Sequence, residues 1–228
     1  MVVMWLKRAA GLLVALTVGA GAAAAQNFDG TGIVKFGAFG QGTWMKGSDT
    51  KWQTSITDPF ATSGIGGGFS AAYDLVSPNR WMLGVEIDGS FADSRDLVAG
   101  YEYGFDYAMS IRARAGLFPT PGWLLYGTAG FGWVGLEVQE PGSVGNKAAE
   151  TIPGFVGGVG TEIDWHHVIV FGEYLYGTYD DRNFEFFTGR HDLHDVETHM
   201  LRIGMKFKVG HDYTHDLDTY DRHYEPLK

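Results

Sequence analysis

The sequence predicts an all-β protein, an eight-stranded antiparallel up-and-down transmembrane β-barrel. Three observations support this fold. Segments of alternating apolar and polar residues recur along the chain, long and short connections alternate between them, and large aromatic residues recur beside the short connections. Alternation with a period of two is typical of strands. Short turns on one rim and long loops on the other are the layout of a membrane barrel.

The segment from Tyr107 to Phe118 shows the alternation most clearly. Its odd positions are mostly aliphatic, as at Ile111, whereas Arg112 and Arg114 fall on even positions. A helix would scatter the two arginines around its surface, but a strand points both to one side. In a soluble sheet that side would face water, and in a membrane barrel it would face a polar interior. The choice between these two arrangements decides the class of function.

The first four predicted strands cover about residues 32–46, 64–76, 81–94 and 107–118. In each of them the charged residues, such as Lys35, Asp74, Glu86 and Arg112, lie opposite the large apolar residues. Turn-forming sequences at 77–80 and 119–122 contain proline and close the second and fourth strands. The first turn therefore joins the second strand to the third, and the second turn joins the fourth strand to the fifth.

The last four predicted strands cover about residues 123–138, 152–165, 168–179 and 196–209. Glu162 and Arg202 again oppose apolar residues. The segment 168–179 alternates least cleanly, because Ile169 and Phe171 share the face of Glu173. Each segment reaches the roughly 9 to 11 residues that a tilted strand needs to cross a bilayer.

Composition limits the alternatives. The 228 residues suit a single domain, and the high contents of glycine (34 residues) and aromatic residues (14%) favour strands over helices. The chain has no cysteine, so disulfides, thiolate nucleophiles and Cys-ligated metals are excluded. A net charge of -10 disfavours nucleic acid as a partner.

The two ends of the chain have a different character from the segments between them. Residues 1–25 predict a secretory signal peptide, since Lys7 and Arg8 precede an apolar run that ends in small residues at Ala23–Ala25. That run is too short for a membrane-spanning helix, which needs about 20 apolar residues. The barrel is predicted over residues 26–209. Residues 210–228 are polar without apolar periodicity and predict a flexible tail on the periplasmic side.

Aromatic residues recur at regular intervals on the apolar face. Tryptophans at 81, 123 and 165 are 42 residues apart, a phenylalanine at 207 continues the series, and all four lie near short turns. Two further tryptophans lie near long connections. A soluble barrel would bury these side chains in an interior that eight strands leave too narrow. We therefore predict two interfacial aromatic girdles, formed by Trp44, Trp81, Trp123, Trp133, Trp165 and Phe207.

Charged residues of the polar face share a similar depth in the predicted barrel. They predict an ion-pair network in the lumen, since buried charges persist only when they are paired. Strand order suggests that Glu86 meets Arg112 or Arg114, and that Glu173 meets Arg202. The network has two interpretations, a structural plug and a gate or proton path. The plug is favoured, because eight strands leave no room for an open channel.

Histidines raise the possibility of a metal site. They lie in the last long connection and in the tail, at His191, His194, His199, His211, His215 and His223. A metal site needs ligands that converge on a fixed geometry, which polar loops and tails rarely provide. We therefore predict no metal and no cofactor.

A hydrolase triad needs serine, histidine and a carboxylate within hydrogen-bond distance. By parity His199 falls on the outward face, whereas Ser70, Ser90 and Ser110 fall on the polar face. We therefore predict that the protein is not an enzyme.

Several short segments resemble the small eight-stranded outer-membrane barrels of the OmpA-like and opacity-type surface-antigen superfamily, in its alphaproteobacterial form. The resemblance extends over about residues 30–209. It is carried by WMLGVEID at 81–88, IRARAG at 111–116, LYGTAG at 125–130, GEYLY at 172–176 and LRIG at 201–204. One departure is the end of the last strand, where such barrels carry an aromatic residue and this chain has Val209 after Phe207.

The resemblance implies a location in the outer membrane of a Gram-negative bacterium. Outer-membrane lipid and lipopolysaccharide would surround the barrel, and the barrel-assembly machinery would insert it. The implied role is an envelope-stabilising barrel that displays four extracellular loops to a possible partner. An adhesin, a small-ligand receptor, a narrow pore and a lipid-modifying enzyme remain as alternatives.

Overall fold

The computed structural model describes residues 31–51, 56–98, 101–139, 147–165, 168–186 and 189–209. The predicted signal peptide and the tail at 210–228 lie outside these residues. The strands are β1 (Thr31–Lys51), β2 (Ile56–Val76), β3 (Trp81–Val98), β4 (Tyr101–Thr120), β5 (Trp123–Gln139), β6 (Lys147–Trp165), β7 (Val168–Tyr179), β8 (Arg182–Phe186) and β9 (Gly189–Val209). In the described part of the chain, no helix has the length and apolar character needed to span a membrane.

The strands form a closed antiparallel barrel. Each strand from β1 to β7 pairs with the next one along the chain, and β9 pairs with both β7 and β1. The short strand β8 also pairs with β9, beyond the end of β7. Together β7 and β8 make up one wall strand, so the barrel has eight. The predicted up-and-down fold is confirmed.

The alternation along each strand separates an apolar outer surface from the interior. Large apolar side chains are widely exposed on the outside, where Ile65 is 83%, Phe69 72% and Ile203 71% accessible. Charged and hydroxyl side chains of the same strands are buried inside. A soluble protein rarely exposes a continuous apolar surface of this kind. The structure therefore has the polarity of a membrane barrel.

The strands are longer than the sequence predicted. Paired residues continue to Lys51 and Ile56 between β1 and β2, to Val98 and Tyr101 between β3 and β4, and to Gln139 between β5 and β6. Much of the sequence predicted as long loops is therefore hairpin. The alternating pattern stops earlier than the strands because a hairpin beyond the membrane has no need to separate apolar from polar faces.

At the end of the barrel with the long connections, the wall divides into two sheets. The ladder between β2 and β3 stops at Ile65 and Asp93, and the ladder between β6 and β7 stops at Gly154 and Tyr179. Beyond these pairs the described residues form two four-stranded leaves, one of β3 to β6 and one of β8, β9, β1 and β2. The barrel is thus continuous at the short-turn end and divided at the other.

Pro153 marks one of the two divisions. It directly precedes Gly154, the last residue of β6 that pairs with β7. Its carbonyl oxygen accepts a hydrogen bond of 3.0 Å from the backbone N–H of Asp180. In a strand the N–H and C=O of one residue point to the same side, so the N–H that proline lacks would lie on the β7 side. Pro153 therefore ends the ladder at this point.

Glycines on β5 allow a test of wall packing. A Cβ on Gly130 would clash with the carbonyl oxygen of Ile111 and lie 2.6 Å from the Cα of Arg112. A Cβ on Gly127 would find its nearest neighbour, the carbonyl oxygen of Gly158, 3.9 Å away. We expect Gly130→Ala to lower the free energy of unfolding in lipid vesicles by about 1 to 3 kcal/mol. Gly127→Ala, the matched control, should be neutral or slightly stabilising. Equal effects would contradict the close contact between β4 and β5.

Candidate functional site: the charged interior of the barrel

The interior is divided into three layers along the barrel. An apolar cluster at the short-turn end contains Ile33, Val76, Met82, Phe118, Leu124 and Tyr126. A larger apolar cluster at the divided end contains Met45, Phe60, Ala92, Ala108, Val134, Ile152, Val156, Leu175, Tyr179, Val196 and Met200. The charged residues lie between the two clusters. The interior is therefore most strongly charged in its middle, with one further ion pair between Lys208 and Asp164 near the short-turn end, whereas the sequence predicted a polar lumen.

Ten buried ionisable side chains form the middle layer. The basic members are Lys35, Arg112, Arg114, Arg202 and Lys206, and the acidic members are Asp74, Glu86, Asp88, Glu162 and Glu173. Five positive and five negative formal charges cancel. The sequence assigned five of these residues to the network. The other five also lay on the polar faces of their strands, but a period of two does not show which residues of different strands lie at the same height in the barrel.

The first group of ion pairs is centred on Glu162. Its carboxylate lies 2.6 Å from Lys35 Nζ and 3.0 Å from Lys206 Nζ, and it also accepts a hydrogen bond from Arg114 Nη2. Asp74 lies 2.8 Å from Lys35 Nζ and 3.2 Å from Arg114 Nη1. Glu162 therefore joins cations from three separate strands across the lumen.

Glu86 completes the first group. Its carboxylate lies 3.2 Å from Arg114 Nε and 2.9 Å from Lys206 Nζ. Arg112 is the direct cross-strand neighbour of Glu86, yet its guanidinium forms its ion pairs with other carboxylates. The group thus holds three basic and three acidic residues and is neutral.

The second group contains Arg112, Arg202, Asp88 and Glu173. Arg112 lies 2.9 Å from both Asp88 and Glu173. Arg202 lies 2.9 Å from Asp88 and 3.7 Å from Glu173, its direct neighbour on β7. Gln41 accepts a further hydrogen bond of 3.1 Å from Arg202 Nε. Two basic and two acidic residues make this group neutral as well.

Aromatic rings support the cations and link the two groups. The guanidinium of Arg114 lies 4.2 Å from the ring centroid of Tyr126, and the Tyr126 hydroxyl donates a 3.1 Å hydrogen bond to Glu173. Lys206 Nζ lies 4.6 Å from the ring of Phe171. Cations are attracted to the faces of such rings. The contact explains why Phe171 shares the inward face of Glu173 and weakens the alternation of that segment.

The six predicted girdle residues all lie on the outward face. Trp81 and Trp123 begin their strands, and Trp165 ends β6. Trp81 is half-buried and the other five are exposed. The indole N–H of Trp123 donates a 2.8 Å hydrogen bond to Thr161. Trp44 and Trp133 lie further along β1 and β5, towards the divided end.

The structure separates the three serines of the polar face from His199. Ser70, Ser90 and Ser110 are buried inside, whereas His199 lies on the outward face, with its Nδ1 2.7 Å from the Tyr174 hydroxyl. His194 Nδ1 lies 3.4 Å from Asp181. Among the described residues, no three potential metal ligands converge. His211, His215 and His223 lie outside them.

Solved structures of small outer-membrane barrels are similar to this chain at low identity. Ail of Yersinia pestis is 17% identical, with a TM-score of 0.42 over 76% of this chain and 98% of that chain. Neisserial surface protein A is 14% identical, with a TM-score of 0.47 over 75% and 97%. OprG of Pseudomonas aeruginosa is 9% identical, with a TM-score of 0.48 over 81% and 100%.

The family relationship rests on a different comparison. No curated protein matches the sequence. The family model for the outer membrane protein beta-barrel domain matches residues 10–208, which includes every described strand up to the penultimate residue of β9. The chain therefore belongs to the outer-membrane β-barrel family.

Proposed function

We propose that the protein is a structural outer-membrane barrel with a plugged interior, one that stabilises the envelope and carries hairpins to the cell surface. The observation that carries this proposal is the neutral layer of ten charges between two apolar clusters. A conducting pore would need a continuous polar path through both clusters. The cations and carboxylates of this layer are held in ion pairs at 2.6 to 3.2 Å. A permeating ion would have to break these pairs.

The surroundings of the barrel follow from its outer surface. The apolar wall between the two girdles suits outer-membrane lipid, with lipopolysaccharide in the outer leaflet of a Gram-negative bacterium. A cleaved signal peptide and the barrel-assembly machinery would deliver the chain there. The divided end would then face outwards, since long connections of such barrels are extracellular.

A second candidate function is binding through the divided end, as an adhesin or a small-ligand receptor. The two four-stranded leaves favour it, because they extend the wall well beyond Trp44 and Trp133. Exposed hairpins held by a rigid scaffold commonly carry binding. Binding of bacteria to host cells or matrix, compared with and without the protein, distinguishes this candidate from a purely structural role.

The proposal includes no catalytic activity and no cofactor. The buried serines and the outward His199 lie on opposite sides of the barrel wall, which separates the parts of a hydrolase triad. The lipid-modifying alternative predicts a change in the lipid A mass spectrum when the protein is expressed. An unchanged spectrum is the result expected from the proposed function.

Planar-bilayer recordings test the plug directly. The native barrel should show small or no conductance, because apolar clusters close both ends of the charged layer. Truncation of both clusters should raise the conductance, by Leu175→Ala and Tyr179→Ala at the divided end together with Phe118→Ala and Leu124→Ala at the short-turn end. The control is Ile203→Ala, which shortens an exposed side chain on the outside and should leave the conductance unchanged. Steady, large conductance of the native protein would refute the plug and support the pore.

A further inference from the structure

A groove of about 800 Å³ crosses the outer wall of the barrel from β4 to β9. Its floor consists of small residues in two adjacent rows of cross-strand neighbours. Ala115 and Gly127 are paired on β4 and β5, and Thr161 and Gly172 are paired on β6 and β7, one row nearer the short turns. Sites for small molecules commonly have about 300 to 1,000 Å³. The groove is therefore large enough to hold a hydrocarbon chain.

Large apolar side chains form both edges of the groove. Val159 and Tyr174 lie on the side of the divided end, and Leu117 and Leu125 lie on the side of the short turns. All four are exposed on the lipid face. A lipid chain in the groove would contact the wall on three sides, whereas a chain on a flat wall contacts it on one. Within a membrane, van der Waals packing of this kind favours one apolar contact over another.

Packing within the barrel does not explain the two glycines of the floor. A Cβ on Gly127 would lie 3.9 Å from its nearest neighbour, the carbonyl oxygen of Gly158, and a Cβ on Gly172 would lie 4.0 Å from the carbonyl oxygen of Arg202. Larger side chains would fit at both positions and would favour a strand more than glycine does. Glycine inside a strand often marks the close approach of a ligand. The two glycines therefore indicate a ligand that lies against the outer wall.

The position of the groove along the barrel selects the kind of lipid. Pro119, at the short-turn end of β4, lines the groove. Thr161, in its floor, accepts a 2.8 Å hydrogen bond from Trp123 of the girdle at that end. In the proposed orientation the short turns are periplasmic, and the periplasmic leaflet of an outer membrane consists of phospholipids. The groove thus extends from the headgroups of that leaflet into its acyl chains.

A basic side chain lies at the headgroup end of the groove. Arg80 Nη1 donates a 3.3 Å hydrogen bond to the carbonyl oxygen of Pro119. The backbone of Arg80 has a φ of 64°, in the left-handed region that favours glycine, so the backbone conformation does not explain an arginine at this position. Guanidinium groups bind phosphate through paired N–H donors. Arg80 is therefore placed to contact the phosphate of a lipid whose chain enters the groove.

We propose that the groove binds one acyl chain of a glycerophospholipid from the periplasmic leaflet, with the lipid phosphate beside Arg80. The site rests on the membrane location and the orientation given under the proposed function, but not on the plugged interior. It adds one resident lipid to the outer wall of the barrel.

Native mass spectrometry of the folded barrel, with palmitoyl-oleoyl phosphatidylethanolamine as the probe, tests the proposal. The native barrel should retain one lipid per chain after release from detergent micelles. Gly172→Leu and Gly127→Leu each fill the groove and should lose this lipid. The matched control is Gly89→Leu, on the outward face of β3 away from the groove, where a Cβ would lie 3.9 Å from Met109 Cγ. This control should retain the lipid. Retention by both groove variants, or equal loss from all three, would overturn the proposal.

The headgroup contact is tested by Arg80→Gly, which suits the left-handed backbone and should leave the barrel folded. Its affinity for the probe should fall roughly two- to fivefold, because the phosphate loses an exposed cationic partner. Unchanged affinity would refute the contact with Arg80.

Two further results separate this site from its alternatives. Lipid A should not displace the phospholipid, and preferential retention of lipid A would refute the assignment to the periplasmic leaflet. A native barrel that folds in lipid vesicles and retains no phospholipid would refute the site alone. Failure to fold in lipid vesicles would instead contradict the proposed function.

Discussion

Replacement of Glu86 by alanine is expected to lower the free energy of unfolding by about 3 to 5 kcal/mol where the site is dry, and by less where water enters. Glu86 is buried and holds Arg114 and Lys206 at 3.2 and 2.9 Å. Its removal leaves the first group with three basic and two acidic residues. A buried charge without compensation is costly because the barrel interior offers little solvation.

A second substitution added to Glu86→Ala shows which basic residue pairs with Glu86. Glu86→Ala with Lys206→Ala restores neutrality within the first group, so the double variant should be less destabilised than Glu86→Ala alone. Glu86→Ala with Arg112→Ala, the matched control, leaves one group with excess positive charge and the other with excess negative charge. Urea titrations of folding in lipid vesicles measure all three variants. The division into two neutral groups would be contradicted if Lys206→Ala and Arg112→Ala restored the stability of Glu86→Ala equally. It would also be contradicted if each lowered the unfolding free energy additively with Glu86→Ala.

An arginine on the outer wall is expected to have the second large effect. Val85 and Ile111 are exposed on the outward face between the two girdles. Placing a guanidinium there by Val85→Arg or Ile111→Arg should cost about 2 to 4 kcal/mol at midplane depth. The reason is that lipid chains cannot solvate the charge and the surrounding wall has no carboxylate to pair with it.

Two controls test the cause of the destabilisation. One changes the size of the side chain without adding charge, and the other places the same charge at a different depth in the membrane. Val85→Leu keeps the outer surface apolar and should change the unfolding free energy little. Val209→Arg places the same charge at the end of β9, beyond Phe207 at the rim, where the cost should fall to about 0 to 1 kcal/mol. Comparable stability of the Val85→Arg and Val209→Arg variants in folding titrations would mean that this surface does not face lipid.

The sequence alone determined the number of wall strands, their inward and outward faces and the short-turn end. These features depend on a local pattern: a period of two assigns each residue to a face, and proline-containing turns close the hairpins. It also predicted that Glu86 meets Arg112 or Arg114, and that Glu173 meets Arg202; in the structure Glu86 pairs with Arg114 and Glu173 lies 3.7 Å from Arg202. The sequence predicted strands that end before those of the structure. The extra residues pair through their backbones in polar hairpins, and such hairpins show no alternation of apolar and polar side chains in the sequence.

The tertiary structure decided which charges meet and what encloses them. Lys35 and Glu162 are 127 positions apart in the chain, yet their side chains form a 2.6 Å ion pair across the lumen. Arg112 lies directly beside Glu86 but pairs with Asp88 and Glu173 instead. An alternation with a period of two determines whether a residue faces the lumen or the lipid. It does not determine the height of the residue along the barrel axis, because that height depends on the tilt and stagger of all eight strands. Only the closed barrel therefore determines the two neutral groups and the apolar clusters that enclose them.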